Sequence, residues 1–392
     1  MKGHMKQRSK GSWTLWVDIG RDSETGKRKQ QTLTVHGTKT DAQRKLRDLL
    51  HSLDMGSYAK PSRLTVSEFL KEWLQSYVAT NTAPRTRDRY EEIVKLHLIP
   101  AFGSVPLVAL KPQHIQKYYA KALESGRRDG KGGLSARTVH KHHRVLFAAL
   151  KYAIKHNFLV RNPAEAVDPP RPQSSEVTKL GANDVQLILD AAKRTPYYAV
   201  LFTAAYTGLR RGELLGLRWC DVDLPMATLS VVQTLQVLRS GEYFFKEPKT
   251  RRSRRQIALS PDLVLLLTEY RLDQEDARRL LGKALAPDDL VFPQSDGRPL
   301  RPNTLTRFSQ TIAKKVGLDG ITLHSLRHAH ATILLQRGVH PKIVQERLGH
   351  SSIATTLDIY SHVVPGLQES AARQFDEGLK GIPSKTEAVL VN

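Results

Sequence analysis

The stretch L-G-H-S-S-I-A-T-T-L-D-I-Y, residues 348–360, contains His350 and, ten positions later, Tyr360. Just upstream, H-S-L-R-H places His324 and Arg327 three positions apart at the predicted start of a helix, so that one face offers an imidazole and a guanidinium. A tyrosine that follows such groups can attack a phosphorus atom held by the basic side chains. Taken alone, Tyr360 would be interpreted as a core tyrosine on an amphipathic helix.

Two further basic elements lie upstream of this stretch. T-G-L-R-R-G-E, residues 207–213, contains Arg210 and, three positions on, Glu213, whose carboxylate can orient the guanidinium. P-K-T, residues 248–250, supplies Lys249 between two alternating segments, where an ammonium group could protonate a leaving 5′ oxygen. An isolated R-x-x-E pair is usually a surface ion pair, and a lone basic loop usually contacts phosphate generically.

The charge of the chain indicates a polyanionic partner. It has 61 Lys and Arg residues against 38 Asp and Glu, a formal net charge of +23. A length of 392 residues with 40% hydrophobic residues predicts roughly two to three folded domains rather than a basic disordered tail. Because no apolar run reaches the length of a membrane span and no secretory signal is evident, we expect a soluble, cytoplasmic protein.

Jointly, these motifs resemble those of the tyrosine recombinase family of integrases. They occur in the family's order over about 150 residues, and L-R-W-C-D-V-D (217–223) adds to the likeness. The resemblance implies strand cleavage through a 3′-phosphotyrosine, a Holliday junction, tetramers on two paired sites and no metal or nucleotide cofactor. It implies these roles: Tyr360 as nucleophile, Lys249 as general acid, and Arg210, Arg327 and His350 as groups that stabilise the charged phosphorus. His324 is our candidate base.

Periodicity predicts a mainly α fold with small β-sheets, an α+β class. Three domains are predicted: a small sheet with a helix in residues 1–58, a four-helix domain in 63–170 and a mostly helical domain in 176–392. The first has strands between residues 12 and 36 and a helix from Thr40 to Leu53, and the third has strands only between Thr228 and Ser260. The resemblance implies arm-site binding, core-site binding and catalysis, respectively. The proline-rich segment 162–175 is interpreted as a linker.

Basic clusters predict where the duplex is contacted, although a solvated basic face is the alternative for each of them. The predicted contacts are Lys27, Arg28 and Lys29 in the N-terminal turn; Arg85, Arg87, Arg89, Arg137, Lys141 and Arg144 near two helix starts, with His142 and His143 beside them; and Lys246, Arg251, Arg252, Arg254 and Arg255 around Lys249.

Three further features of the sequence concern the cysteine, a histidine cluster and the C-terminal segment. The single cysteine, Cys220, follows an apolar run and is expected to be a buried structural thiol. His324, His328 and His330 suggest a metal site, which the lack of a neighbouring acidic residue disfavours. A helix is predicted for residues 367–379, and the apolar segment A-V-L-V (388–391) is predicted to dock on a neighbouring protomer.

Two alternatives remain open at the level of sequence. A type IB topoisomerase would share the phosphotyrosine chemistry but would relax DNA of any sequence as a monomer. A non-catalytic regulator could use residues 338–360 as a helix-turn-helix, and would form no covalent adduct. Accessory proteins that bend DNA or set direction are possible partners of a recombinase.

Overall fold

The structure, a computed structural model, describes residues 3–21, 28–54, 63–172, 180–247 and 254–354, with 356–357, 372–373, 375–377 and 379. The chain divides into two compact units, residues 1–174 and 175–392. Within the described residues, helices dominate both units and small antiparallel sheets complete them, which confirms the predicted fold class.

A three-stranded antiparallel sheet opens the first unit. Its strands, in the order β1-β2-β3, are β1 (Gly3–Ser9), β2 (Ser12–Arg21) and β3 (Arg28–His36). Helix α1 (Lys39–Asp54) packs against the sheet. Strand β1 lies outside the predicted strand region, because G-H-M-K-Q-R-S lacks apolar alternation. Strand β1 forms through backbone hydrogen bonds to β2, which its side-chain pattern does not predict.

The start of α1 is fixed by Thr38 rather than by the predicted cap at Thr40. The Thr38 hydroxyl accepts a hydrogen bond from the Asp41 backbone N–H at 3.3 Å, and the Asp41 carboxylate accepts one from the Thr38 N–H at 3.0 Å. Two otherwise unpaired helix N–H groups are thereby satisfied. Ala42 is then fully buried against the sheet, as its place on the predicted apolar face requires.

A bundle of helices forms the rest of the first unit. Thr65 and Glu68 form the capping box that begins the first of them, close to where the sequence predicts it. Phe69, Trp73 and Leu146 are almost completely buried in the core of the bundle. The helices are α2 (Val66–Trp73), α3 (Ala79–Asn81), α4 (Pro84–Ile93), α5 (Ile99–Phe102), α6 (Pro112–Ser125) and α7 (Ala136–Lys155); π-helical turns, Leu74–Val78 and Val94–Leu98, join α2 to α3 and α4 to α5, and short 3-10 helices occupy Leu107–Ala109 and Pro163–Ala166.

The beginning of the segment interpreted as a linker belongs instead to this bundle. Ala164 and Val167 are buried in the same core as α6 and α7. Asn162, only 3% exposed, accepts a hydrogen bond from the Ala164 N–H at 3.0 Å and so begins the 3-10 helix. The proline-rich composition hid this packing, because a single 3-10 turn buries too few residues to produce a periodic pattern.

Two of the predicted basic-face histidines are internal. His142 is 2% exposed, and its Nδ1 lies 2.6 Å from the Tyr118 hydroxyl. His143 is half-buried and makes the equivalent contact with Tyr119 at 2.6 Å. The ring of His97 lies 4.5 Å from that of His142. The helical periodicity of α7 therefore separates these histidines from the exposed Arg137 and Arg144 on the same helix.

Acid should weaken the first unit through His142. Burial, with a smaller contribution from His97, lowers the pKa of His142 to about 4, whereas an unfolded histidine titrates near ~6.5. Burial also raises the pKa of Tyr118, so its hydroxyl stays neutral. Below pH ~6.5 the unfolded chain binds more protons than the folded one, so the stabilisation is complete above this pH and is lost as the pH falls towards 4.

The expected loss in the free energy of unfolding is on the order of 3 kcal/mol. Hydrogen exchange of the α7 amides, corrected for intrinsic exchange rates and followed from pH 7 to pH 4.5, measures it locally in the whole protein. His142→Gln removes the titrating group and should flatten this dependence. Parallel pH curves for the two proteins would contradict the assignment.

The second unit surrounds helix α9, which is apolar on all sides and buried. Helices α8, α11 and α13 pack against it. The mostly helical character predicted for residues 176–392 is found in the described part of this unit. Of the helix predicted for residues 367–379, the described residues 372–373, 375–377 and 379 are helical. The elements are α8 (Ala182–Ala192), α9 (Tyr198–Thr207), α10 (Arg211–Leu215), α11 (Pro261–Leu280), α12 (Pro302–Lys315), α13 (Leu323–Gln336), α14 (Pro341–Leu348), a 3-10 helix at Trp219–Asp221, and strands β4 (Val222–Asp223), β5 (Thr228–Val231), β6 (Thr234–Val237), β7 (Tyr243–Lys246) and β8 (Arg255–Ala258).

The strands form a sheet in the order β4-β5-β8 and a separate β6-β7 hairpin. Strand β4 lies before the predicted strand region, because two residues are too few to show alternation. No helix of the described residues is both long and apolar enough to cross a membrane.

Cys220 is exposed, contrary to the prediction of a buried thiol. It lies in the 3-10 turn Trp219–Asp221, where the Trp219 side chain occupies the buried side and is 3% exposed. The thiol lies 3.5 Å from the Asp288 carboxylate. The apolar run before Cys220 therefore ends at the tryptophan.

Candidate active site

A tight turn between α9 and α10 positions Arg210. Gly208 ends α9 in the left-handed conformation, with φ of +64°, and a Cβ there would lie 2.5 Å from the side chain of Leu348. The chain thus approaches the end of α14 closely, and only glycine fits. Arg210 follows in extended conformation as the N-cap of α10, with its side chain 41% exposed.

Glu213 holds Arg210 through both side chain and backbone. The Arg210 Nη1 donates to Glu213 Oε1 at 2.8 Å, and its backbone N–H donates to Oε2 at 3.0 Å. Arg211, one position along the helix, instead donates to the Thr306 hydroxyl at 2.6 Å on α12. The two neighbouring arginines therefore have different partners, and the structure places Arg210 beside Glu213 as the motif requires.

The C-terminal end of α14 gathers three arginines from distant parts of the chain. The carbonyl oxygens of residues 347, 348 and 349 accept hydrogen bonds from Arg255 Nε at 2.7 Å, Arg327 Nη2 at 2.8 Å and Arg210 Nη2 at 2.7 Å, respectively. The last carbonyls of a helix lack helical partners and carry the negative end of its dipole. This end of α14 therefore attracts the positive charge and fixes its position.

Arg327 lies deepest of the three. It is 4% exposed and also donates from Nη1 to the Gly208 carbonyl at 2.6 Å. Burial, assisted by the charge of Arg210, lowers the pKa of Arg327 to about 9, so the guanidinium is still charged at neutral pH. It joins the turn before α10 to the end of α14.

His324 is exposed at the start of α13, and its Nε2 lies 3.0 Å from Nε2 of His328. Burial first, and then the charges of Arg327 and Arg210, lower the pKa of His324. It is therefore neutral at physiological pH. In the tautomer in which His324 donates from Nε2 to His328, its Nδ1 carries the lone pair that a general base needs.

His328, which the sequence analysis considered only as a metal ligand, pairs with the candidate base His324. The spacing of four between His324 and His328 places them on one helix face, and this signal was available in H-S-L-R-H. The sequence interpretation tested these histidines only as metal ligands. It did not consider a hydrogen-bonded pair in which one ring donates a proton to the other. Among the described residues, no group of three or more His, Cys, Asp or Glu side chains is arranged to hold a metal ion.

His350 follows Gly349, which ends α14 in the left-handed conformation. Its Nδ1 lies 2.9 Å from the Thr356 hydroxyl. Burial, followed by the charge of Arg327, lowers the pKa of His350 to about 4, so the ring is neutral. If Thr356 donates to Nδ1, the single ring proton is on Nε2, where it can be donated to a phosphate oxygen.

Arg255 does not lie on the surface as a phosphate contact would. Its side chain is 6% exposed and donates from Nη2 to Glu213 Oε2 at 2.9 Å. The alternation of R-Q-I-A in β8 places Arg255 on the same face as the buried Ile257. The cluster of arginines before β8 obscured this pattern.

The other predicted DNA contacts differ in how far their side chains are exposed, and some lie outside the described residues. Arg254 is 54% exposed and pairs with Glu247 at 2.6 Å, and Lys246 is half-buried on β7. In the first unit, Lys141 is half-buried, and the arginines of α4 and α7 are exposed: Arg85, Arg87, Arg89, Arg137 and Arg144. Outside the described residues lie Lys27, Arg251, Arg252, Lys249 and Tyr360, the tail 380–392, and the side chains of Arg28 and Lys29.

His330 completes the support behind the site. Its Nε2 accepts a hydrogen bond from Arg347 Nε at 3.0 Å and its Nδ1 donates to the Ala205 carbonyl at 2.9 Å. Burial lowers the pKa of His330 to about 4, which agrees with the neutral tautomer that these two contacts require. Both ring nitrogens of His330 are therefore occupied by hydrogen bonds inside the protein, so His330 cannot bind a metal ion together with His324.

The site presents positive charge to solvent, and its guanidinium groups are held in fixed positions. Three guanidinium groups meet one carboxylate, so positive charge is in excess, while the two histidines beside them are neutral. Preorganised charge of this kind stabilises a phosphorus centre that gains negative charge during displacement. It does so without reorganisation, because helix ends and buried ion pairs hold the side chains in place.

Two family profiles match this chain. Residues 178–365 match the phage integrase family, and residues 65–123 match the N-terminal SAM-like domain of phage integrases. Together they span well over half of the chain. The chain belongs to the phage integrase family of tyrosine recombinases. It is accordingly an enzyme that cleaves DNA by transesterification and acts in site-specific recombination, as the sequence motifs predict.

Individual relatives agree with this family. The chain is 28% identical to a tyrosine recombinase XerC-like protein of Caldanaerobacter subterraneus subsp. tengcongensis, over 96% of this chain and 98% of that protein. Two solved structures share its fold. One is the Tn1549 transposon integrase with a circular intermediate DNA (TM-score 0.67, 22% identity, 80% of this chain and 99% of that one). The other is a lambda integrase tetramer bound to a Holliday junction (TM-score 0.55, 19% identity, 91% and 94%).

Proposed function

We propose that this protein integrates or excises a mobile DNA element by cutting and rejoining strands through a 3′-phosphotyrosine at Tyr360 and a Holliday junction. The observation that carries the proposal is the meeting of Arg210, Arg327 and His350 at one end of α14, from segments up to about 140 residues apart. A structural ion-pair network needs no such exposed opening, whereas Arg210 is 41% exposed and His324 lies at the surface beside it.

The proposed step exchanges one phosphoester bond for another. The phenolic oxygen of Tyr360 bonds to phosphorus while the bond from phosphorus to the 5′ oxygen breaks. His324 accepts the phenolic proton, and Lys249 gives a proton to the departing 5′ oxygen. Arg210 and Arg327 bind the non-bridging oxygens, and His350 donates to one of them. Because a phosphoester is present before and after, the bond energy is retained for rejoining.

Trapping on a nicked substrate tests this proposal. A duplex that carries an end of the element, nicked just beyond the scissile phosphate, loses its 5′-hydroxyl fragment after cleavage, so the adduct cannot reverse. In the presence of a chelator, a denaturing gel should show protein linked to DNA, and peptide mass spectrometry should locate the link at Tyr360. Absence of a link, or a link at another residue, would reject the proposed chemistry.

The proposed assembly is a homotetramer on two paired DNA sites. The lambda integrase of similar fold is a tetramer on a Holliday junction, and the excess charge of +23 suits a DNA partner. We assign arm-site binding to residues 1–58, core-site binding to 63–170 and catalysis to 176–392. The exposed arginines of α4 and α7 would contact phosphates. Accessory proteins that bend DNA or set the direction of recombination would assist the tetramer. The reaction would take place in the cytoplasm.

Deleting residues 380–392 should abolish recombination while leaving single-site DNA binding intact. The apolar segment 388–391 would otherwise dock on the neighbouring protomer and hold the tetramer together. Strand exchange between two sites and gel-shift binding to one site are the paired measurements. A full-length protein with residues 388–391 changed to serine separates loss of apolar docking from loss of length. Unchanged strand exchange in both proteins would refute the tail's role.

A further inference from the structure

Arg255 contacts the surroundings of the proposed phosphate-binding residues Arg210, Arg327 and His350, and only 6% of its side chain is exposed. Its guanidinium donates to both oxygens of Glu213, at 2.9 Å and 3.4 Å, and its Nε donates to the Arg347 carbonyl at 2.7 Å. A Cβ at Gly349 would lie 2.9 Å from Arg255 Nη1. The guanidinium therefore packs directly against the glycine backbone of the L-G-H turn, and its position is fixed from three sides.

Glu213 depends on this arginine. The carboxyl is 6% exposed, and burial alone would raise its pKa. The hydrogen bond and charge of Arg255, followed by the charge of Arg210, lower the pKa below its ordinary value. Removing Arg255 would leave a buried carboxylate with Arg210 as its remaining partner among these arginines. A poorly compensated buried charge is costly and is relieved by protonation or by movement of its neighbours.

The geometry links Arg255 to both arginines proposed to bind phosphate. Through Glu213 it reaches Arg210, whose Nη1 and backbone N–H both donate to that carboxylate. Through the Arg347 carbonyl it holds the end of α14, where the next two carbonyls bind Arg327 and Arg210. With 6% of its side chain exposed, Arg255 has little surface with which to bind DNA itself.

We infer that Arg255 is a positioning residue, which sets Arg210 and Arg327 at the spacing of two non-bridging oxygens of one phosphate by bracing Glu213 and the end of α14. This inference rests on the proposed function. It predicts that loss of Arg255 slows cleavage of a charged scissile phosphate more than cleavage of an uncharged analogue. Lysine can keep the ion pair with Glu213, but it cannot donate to the Arg347 carbonyl in the same fork geometry.

The first measurement compares Arg255→Met and Arg255→Lys with wild type on the nicked substrate, at saturating protein. Cleavage should fall about 10-fold to 100-fold in Arg255→Met, since a misplacement of about 1 Å can cost about 100-fold. Arg255→Lys should be intermediate, and affinity for a single site should not change in either protein. Arg218→Met is the matched control, because Arg218 pairs with Asp221 at 3.0 Å in the same unit but contacts none of the cluster. It should cleave as wild type.

The second measurement separates positioning from general structural damage. A methylphosphonate at the scissile position replaces one charged oxygen with a neutral methyl group. If Arg255 acts by placing positive charge, the ratio of wild-type to Arg255→Met rates should shrink to within about threefold on this substrate. An equal loss on both substrates would overturn the inference. If Arg255→Met does not fold, Arg255→Lys decides by the same ratio. Failure of wild type to form a Tyr360 adduct would instead reject the proposed function.

Discussion

A Tyr360→Phe protein should form no covalent adduct with DNA, while binding its site as tightly as wild type. The substitution removes one oxygen atom and leaves the ring, so it tests the nucleophile without removing apolar contacts. Phosphotyrosine chemistry has no route without that oxygen, and the expected loss is therefore complete rather than partial. The measurement is trapping on the nicked substrate, read on a denaturing gel, beside a gel shift on the intact site.

The matched control is Tyr243→Phe, which removes the hydroxyl of a tyrosine that is 43% exposed on β7 in the same unit. It should give adduct at the wild-type rate. An adduct that persists in Tyr360→Phe would show that another residue attacks. Adduct formation followed by relaxation of plasmids that lack the element's ends would favour the topoisomerase alternative over a recombinase.

The elements around this chemistry were largely predictable because local signals agreed with the packing. Helix α14 begins at Pro341 and ends before Gly349, as a proline at the first position and a left-handed glycine predict. Helix α9 was predictable from its long apolar run. Strand β1 was not, because its order comes from pairing with β2, and backbone pairing leaves no trace in side-chain pattern.

The site was predictable in its parts but not in its connections. Motif spacing selected Arg210, Arg327 and His350 as candidates, and the structure brings these three residues together at the end of α14. Arg255 was predicted as a surface contact with phosphate, because its partner Glu213 lies 42 residues away and meets it only in the folded chain. His328 was considered only as a metal ligand, although it pairs with His324. A run of arginines looks uniformly basic in sequence, whereas strand alternation directs only some of them inward.

Burial explains why the ion pairs and hydrogen bonds around the clustered arginines determine where their charge is placed. A guanidinium or carboxylate in the interior must have partners, because an unpaired buried charge is strongly destabilising. The Glu213 carboxylate and the carbonyls at the end of α14 supply these partners for three arginines at once. In the proposed mechanism, the charge that would face the phosphate is therefore positioned by a buried carboxylate and by backbone carbonyls.

Arg210→Ala should lower the cleavage rate by about 100-fold to 1,000-fold, the usual cost of losing one preorganised donor to a developing oxyanion. Arg210 is the most exposed of the three clustered arginines, with 41% of its side chain accessible, so the protein should fold normally without it. Binding to a single site should change little, since many other phosphate contacts supply the affinity. Rates under single-turnover conditions on the nicked substrate isolate the chemical step from binding.

Arg211→Ala is the matched control, because it removes an adjacent arginine whose guanidinium donates to the Thr306 hydroxyl on α12. It should retain cleavage and lose at most some stability at the contact with α12. Arg210→Lys should recover only part of the rate, since one ammonium group cannot bind Glu213, the Gly349 carbonyl and a phosphate oxygen in the fork geometry of a guanidinium. Equal cleavage by Arg210→Ala and Arg211→Ala would show that the end of α14 gathers these charges for folding alone.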